Sequence, residues 1–173
     1  MEQNENKTQD TAGKGILMTL AGKPPVGDNT TIMLHLVSQA ALVQHTPAAY
    51  FSPGMTAVEV INRLIAVNTG IDYKDIAAGT LSDEDWKKLD AELPKLTGAP
   101  LYIDDTQEIP LSDLSEKIVD LAKSKGVQIV AVDPVSKVAV SVQEAEQDIA
   151  GYIKASLKTL AEDLGIIIFM AEE

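Results

Sequence analysis

Short apolar runs of strand length alternate along the chain with longer segments whose apolar residues recur at helical spacing. The segments between the runs are long enough for crossover helices between parallel strands. This alternation predicts βαβ units, and therefore an α/β fold with a mostly parallel sheet and helices on both faces. The predicted strands are 16–21, 48–52, 101–103, 127–132 and 165–170.

Two predicted helices follow the first two strands. Residues 30–43 are assigned to a largely buried helix, and residues 56–67 to an amphipathic helix that Gly70 terminates. The apolar residues of the second helix that share its inward face are Val58, Ile61, Leu64 and Ile65.

Capping and breaking residues set the bounds of the later helices. Ser82 begins an S-x-x-[DE] capping box, so a polar helix should start there and end at Pro94. Ser112 is assigned as the cap of the next helix, which Gly126 terminates. The last helix is assigned to 142–164.

The composition indicates one globular domain. Residues 1–14 are polar and mixed in charge, which is typical of a disordered tail, and the 45% hydrophobic content is enough for a core within residues 15–173. The absence of cysteine excludes disulfide frameworks and cysteine metal sites. No apolar run approaches the roughly 18 residues of a membrane span, so we expect a cytoplasmic protein without a membrane partner.

The charge balance argues against autonomous binding to nucleic acid. The formal net charge is -12, and Arg63 is the only arginine. An acidic surface repels phosphate backbones, and arginine is the side chain that best matches phosphate and guanine geometry. Acidity also has a general role in keeping a protein soluble.

The turn after the first strand has the frame of a phosphate-binding loop. Gly22 and Gly27 fit the pattern G-x-x-x-x-G-K-[ST], but Asp28 and Asn29 stand where lysine and a hydroxyl residue are needed. In a working loop the lysine neutralises the terminal phosphates and the hydroxyl binds magnesium. A unit charge at about 4 Å contributes roughly 4 kcal/mol at an effective dielectric near 20, so an ionised Asp28 replaces attraction by repulsion.

A one-residue shift of this frame changes the candidate residues. Asn29 then takes the lysine position and Thr30 the magnesium position, which removes the repulsion without supplying a cation. Lys23 is the cation within the loop that could swing inward. The candidate nucleotide-binding residues of the loop are therefore Gly22, Lys23, Gly27, Asp28, Asn29 and Thr30.

Two further motifs give this loop a family context. The stretch GTLSDEDW at 79–86 and the stretch IDDT at 103–106 resemble the segment between the second and third strands of DnaB-type replicative DNA helicases. The resemblance extends over about residues 16–173. It implies a RecA-like P-loop domain, a three-layer sandwich that assembles as a ring, binds ATP between subunits and moves single-stranded DNA.

The functional positions of that family are mostly changed in this chain. Gly54 stands where the resemblance places the glutamate that activates water, and residues 171–173 stand where it places a sensor glutamine. Asp133 matches the aspartate that lies beside magnesium in the family, which makes it the one candidate metal ligand. No catalytic residue is assigned.

Three interpretations follow. The leading one is a non-hydrolysing relative of the helicase core, in DNA replication or a mobile element, that acts through protein contacts, with a second copy or a replication protein such as a helicase as its partner. In the second, the chain still binds ATP or ADP with magnesium through loop amides, Lys23, Thr30 and Asp133, and hydrolyses it slowly or with a partner's residues. Hydrolysis without a partner would require Arg63 near the site. In the third, only an oligomerisation face remains.

Three other side chains have structural interpretations. Asp104 and Asp105 are adjacent at the end of a strand and point to opposite faces, which favours a structural or capping role over a metal pair. Trp86 lies on the polar helix and is interpreted as a core anchor rather than a platform on which bases stack.

Overall fold

The computed structural model describes residues 15–22, 27–140 and 148–172. Five strands form one sheet in the order β1-β5-β4-β2-β3, and every neighbouring pair is parallel. The parallel sheet that the sequence predicts is confirmed. The strands are β1 (Ile16–Leu20), β2 (Ala48–Phe51), β3 (Leu101–Asp104), β4 (Ile129–Val132) and β5 (Ile167–Ala171).

Helices cover both faces of this sheet. In the part of the chain that the structure describes, they are α1 (Asn29–Ser38, which continues as a π-helix over Gln39–Val43), α2 (Ala57–Thr69), α3 (Tyr73–Ala78), α4 (Asp83–Gly98), α5 (Leu111–Lys125) and α6 (Ile149–Leu164). None of these described helices is long and apolar enough to cross a membrane. A 3-10 turn, Val135–Lys137, follows β4.

The alternation of side chains along the strands separates two cores. Tyr50 on β2 faces α1 and α2, where it packs with residues such as Met33 and Leu64. Its neighbour Phe51 faces the opposite side, where α5 and α6 contribute Ile118 and Leu157. Consecutive strand residues point to opposite faces, so β2 contributes to both cores and the domain has three layers.

Several predicted helix bounds need correction. Pro94 does not end α4, which continues to Gly98. Proline removes one helical hydrogen bond and crowds the carbonyl four residues earlier. The extra turn brings Leu96 against the core shared with α1 and α2, and the Thr97 hydroxyl donates to the Leu93 carbonyl at 2.9 Å. The partial burial of Leu96 favours this extra turn. The capping box of Ser82 is confirmed.

The starts of α5 and α6 also differ from the prediction. Pro110 precedes the first residue of α5 and makes no side-chain cap, so Ser112 is not the cap. The buried side chain of Leu111 fixes that start by packing instead. Helix α6 begins after Asp148, whose carboxylate accepts a 2.8 Å hydrogen bond from the Gly151 amide. The predicted segment before it, 142–147, lies outside the described residues, as does the predicted tail 1–14.

Three apolar side chains that were expected to be buried are exposed. Val58 is 66% exposed and Ile61 is 43% exposed, so the buried stripe of α2 runs instead through Val60, Leu64 and Ile65. Trp86 is 50% exposed, and its interpretation as a core anchor is wrong. Apolar spacing identifies a helix face but does not show how far the neighbouring layer extends over it.

Candidate functional site

A cavity of about 760 Å³ opens where β1, β4 and β5 end and α1 begins. This edge of a parallel sheet is where α/β proteins bind ligands. The structure brings six of the predicted residues together around the cavity, and Lys23, the seventh, lies outside the described residues. The six are Gly22, Gly27, Asp28, Asn29, Thr30 and Asp133.

The two loop glycines have backbone conformations that need glycine. Gly22 has φ of 76° and Gly27 has φ of 78°. Side chains with a Cβ are strained in this left-handed region. The glycines therefore shape the turn into α1 whatever the loop binds.

Asp28 is the N-cap of α1. Its Oδ1 accepts hydrogen bonds from the Thr31 amide at 2.7 Å and from the Thr31 hydroxyl at 2.6 Å. The side chain lies at the end of the helix where an incoming anion would meet free N–H groups. Partial burial alone would raise the pKa of Asp28, but the bonds from Thr31 and the charge of Arg63 together lower it below its usual value.

Arg63 reaches the cavity from α2. Its Nη1 lies 3.4 Å from Asp28 Oδ2, and its guanidinium carbon lies 5.0 Å from the centre of the Tyr73 ring. The buried Nε has no hydrogen-bond partner among the described residues. The arginine thus lies beside the site, as hydrolysis without a partner would require, but its charge is directed at Asp28.

Asp133 follows β4 and is 3% exposed. Its amide donates to the Phe51 carbonyl at 3.0 Å, and its Oδ2 accepts a 2.6 Å hydrogen bond from the hydroxyl of Tyr50. Burial, followed by the charge of Asp133, raises the pKa of Tyr50 far above its usual value, so the phenol keeps its proton.

Asn29 and Gly54 have local structural partners. The Asn29 side-chain amide donates to the carbonyls of Gly22 at 3.0 Å and Glu172 at 3.2 Å, which joins the loop to the end of β5. A Cβ added to Gly54 would lie 3.1 Å from Pro134 Cδ, closer than ordinary van der Waals contact. The proline after Asp133 therefore occupies the space beside the position that a catalytic glutamate would take.

The described residues offer Mg²⁺ few free oxygen ligands of their own. Mg²⁺ requires near-octahedral oxygen coordination, whereas one oxygen of Asp133 already accepts a hydrogen bond from the Tyr50 hydroxyl. Asn29 presents its NH₂ group to two carbonyls. Among the described residues, no group of three or more histidine, aspartate or glutamate side chains is placed to hold a metal.

The two adjacent aspartates have the structural roles expected of them. Asp104 accepts hydrogen bonds from the Lys117 ammonium and from the Thr106 amide. Asp105 Oδ2 accepts a 2.7 Å hydrogen bond from the Ala57 amide at the start of α2. They connect β3 to α5 and to α2, away from the cavity.

Sequence reasoning missed the contributions of Tyr50 and Lys137. Lys137 lines the cavity from the 3-10 turn after β4. Its signal was its position four residues after Asp133, within a loop on the ligand-binding edge. Tyr50 had a weaker signal, because a tyrosine in an apolar strand is usually only part of the core.

Comparison with known proteins gives one family. The model of the DnaB-like helicase C terminal domain matches residues 6–172. Replicative DNA helicase DnaB of Geobacillus stearothermophilus is 30% identical over 152 residues, which are 87% of this chain and 33% of that protein. Replicative DNA helicase DnaC of Bacillus subtilis (strain 168) is 28% identical over 160 residues, 90% of this chain and 35% of that protein. The chain spans about a third of the length of these relatives.

Solved structures give the same fold. One of them, described as an ATPase domain, superimposes with a TM-score of 0.74 at 19% identity, covering 92% of this chain and 57% of that one. A DnaB-like replicative helicase, described with its interactions with primase, has a TM-score of 0.75 at 19% identity and covers 92% of this chain and 39% of that one. The RecA-like three-layer sandwich is confirmed.

Proposed function

Because the chain belongs to the family of DnaB-like helicase C-terminal domains, we propose that it is a RecA-like domain of DNA replication that does not hydrolyse ATP. It acts through contacts with proteins: a second copy of itself or a replication protein such as a helicase. A mobile genetic element is a second setting for the same role.

Asp28 is the main support for the absence of hydrolysis. Its carboxylate caps α1 and attracts Arg63, so the negative charge lies where a terminal phosphate would need a positive one. The side chain is 55% exposed, and solvent therefore reduces the repulsion below the roughly 4 kcal/mol of a less exposed pair. Phosphoryl transfer depends on cations at this position, and Gly54 supplies no base.

Nucleotide titration tests this role directly. The purified chain is titrated calorimetrically with ATP and with ADP, each with and without magnesium, and phosphate release is followed in parallel. We expect no saturable heat at nucleotide concentrations up to about 1 mM. Any binding would then be far weaker than that of a site with a dissociation constant of about 1 μM. ATP turnover above background that Asp133→Ala abolishes would refute the proposal.

The size of the cavity favours the second candidate function, nucleotide binding with weak or partner-dependent hydrolysis. A volume of about 760 Å³ is within the usual range of ligand pockets, and Arg63 and Lys137 both line it. Saturable binding in the micromolar range, weakened by Asp133→Ala, would select this candidate. Hydrolysis would then be measured with the partner protein added.

Association measurements test the protein contacts. Sedimentation velocity over a concentration series reports self-association of the chain. The same experiment with the replicative helicase of Bacillus subtilis, a relative of this chain, tests a mixed complex. We expect at least one of the two associations, and a chain that remains monomeric in both would contradict the proposed role.

A further inference from the structure

The buried hydrogen bond between Tyr50 and Asp133 lies beside the cavity. The proposed function gives this bond no role. Tyr50 lies on β2, next to β4 in the sheet, and its side chain is fully buried. Its hydroxyl reaches the carboxylate of Asp133, which lines the cavity. The hydrogen bond therefore lies at the edge of the space that a ligand would enter.

This bond occupies one of the two oxygens that Asp133 could offer a metal. A hydroxyl at 2.6 Å presents the positive end of its dipole to Oδ2, as a bound cation would. A buried carboxylate without such a partner would be strongly destabilising, so the phenol compensates for the burial of Asp133. A divalent ion would have to displace the phenol or bind through the other oxygen alone.

The surroundings supply no replacement ligands. Within the described residues, no group of three or more acidic or histidine side chains is placed to hold a metal, so none compensates for the Asp133 oxygen that Tyr50 occupies. The other charged side chains that line the cavity are Asp28, Arg63, Lys137 and Glu172. Asp28 is paired with Arg63, and Lys137 and Glu172 are of opposite sign, so these four side chains add no net negative charge that would attract a metal ion.

We infer that Tyr50 closes Asp133 to divalent cations, and that this cavity therefore takes any ligand it binds in metal-free form. The hydroxyl of Tyr50 is the internal group that occupies the cation position. This inference deepens the proposed function, since it concerns the same cavity, but the two can fail separately. A chain that binds a divalent ion through Asp133 could still lack hydrolysis, and a metal-free cavity could still bind a nucleotide.

Binding of Mn²⁺ alone tests the inference, with the free ion followed by electron paramagnetic resonance. The whole chain is compared with Asp133→Asn, which keeps an oxygen that accepts the Tyr50 hydrogen bond. We expect the two proteins to bind Mn²⁺ with equal affinity, because the Asp133 carboxylate of the wild type does not bind the ion while it accepts the hydrogen bond from Tyr50. Weaker binding by Asp133→Asn would overturn the inference, and this comparison does not depend on any change at Tyr50.

Removal of the hydroxyl provides the second test. Tyr50→Phe should bind Mn²⁺ at least about tenfold more tightly than the wild type, a difference of about 1.4 kcal/mol. The gain should disappear in the double variant Tyr50→Phe, Asp133→Asn. Tyr102→Phe is the matched control, because Tyr102 packs on the opposite face of the sheet and should leave Mn²⁺ binding unchanged. A folded Tyr50→Phe protein with wild-type Mn²⁺ affinity would also overturn the inference.

Discussion

Asp28 illustrates how one residue can serve the fold and alter the site at the same position. Aspartate is among the best N-cap residues, and here it accepts two hydrogen bonds from Thr31. A negative charge also interacts favourably with the positive end of the helix dipole. The stability of α1 therefore benefits from the charge that opposes phosphate binding, and Arg63 neutralises that charge from within the chain.

The lowered pKa of Asp28 predicts a specific pH dependence of stability. Since its pKa is lower in the folded state than the ordinary 3.8, its contribution is fully present above that value and is lost as the pH falls through the folded pKa. The free energy of unfolding, measured with urea from about pH 6 to about pH 3, should fall less steeply in Asp28→Asn than in the wild type.

A partial variant controls this comparison. Thr31→Val removes the hydroxyl bond to Asp28 but keeps the backbone bond, so it should reduce the pH dependence only in part. Identical pH profiles for the wild type and Asp28→Asn would show that the charge of Asp28 does not contribute to stability.

At the scale of elements, α2 determines where the arginine lies. The helix is fixed at its start by a capping box, in which the Glu59 amide donates to the Thr56 hydroxyl and the Thr56 amide donates to the Glu59 carboxylate at 2.8 Å. Asp105 accepts a further bond from Ala57. Buried residues such as Leu64 then hold α2 against the sheet, so that Arg63 lies at the cavity.

Loss of this cap should reduce the stability of the domain. Thr56→Ala removes the hydroxyl that accepts from the Glu59 amide, and we expect a decrease of about 1 kcal/mol in the free energy of unfolding. Urea unfolding measures the change. Thr56→Ser keeps a hydroxyl and should be close to the wild type. Equal losses in both variants would indicate that the methyl group of Thr56, not its hydrogen bond, is responsible.

At the scale of the whole molecule, excess negative charge acts against the compact state. The chain carries 26 acidic and 14 basic residues, a formal net charge of -12 at pH 7. Repulsion between like charges destabilises a folded protein, and salt screens it. Ion pairs on the surface of the fold, such as Lys117 with Asp104 and Lys95 with Glu92, are partly exposed and contribute little each.

The net charge therefore predicts that salt stabilises this domain at neutral pH. Raising NaCl from about 0.02 M to about 0.5 M shortens the Debye length from tens of ångströms to a few, so the thermal unfolding midpoint should rise. The midpoint is measured again in a second salt that has a different anion, at equal ionic strength. This comparison separates screening from specific binding of an anion. A midpoint that falls with both salts would show that screened ion pairs outweigh the general repulsion.

Local patterns were sufficient for the five strands and most of the helices, and for the order in which they occur. Alternating strand and helix segments predicted the five strands, and the Ser82 capping box and Gly126 correctly marked helix ends. The right-handed connection of parallel strands places their carboxyl ends on one edge, which is why the loop residues and Asp133 meet there. Helix α3 was missed because it has only six residues and no buried side chain, although Asp72 caps it.

The sequence by itself determined the fold class, the glycine frame of the loop and the replacement of its key cation by Asp28. Periodicity, turn residues and charge are local properties that one chain displays directly. Tertiary structure alone decided that Arg63 faces Asp28, that Pro134 fills the space beside Gly54, and that the hydroxyl of Tyr50 reaches Asp133. These contacts join residues far apart in the chain, and their geometry depends on strand order and helix packing, which no local pattern specifies.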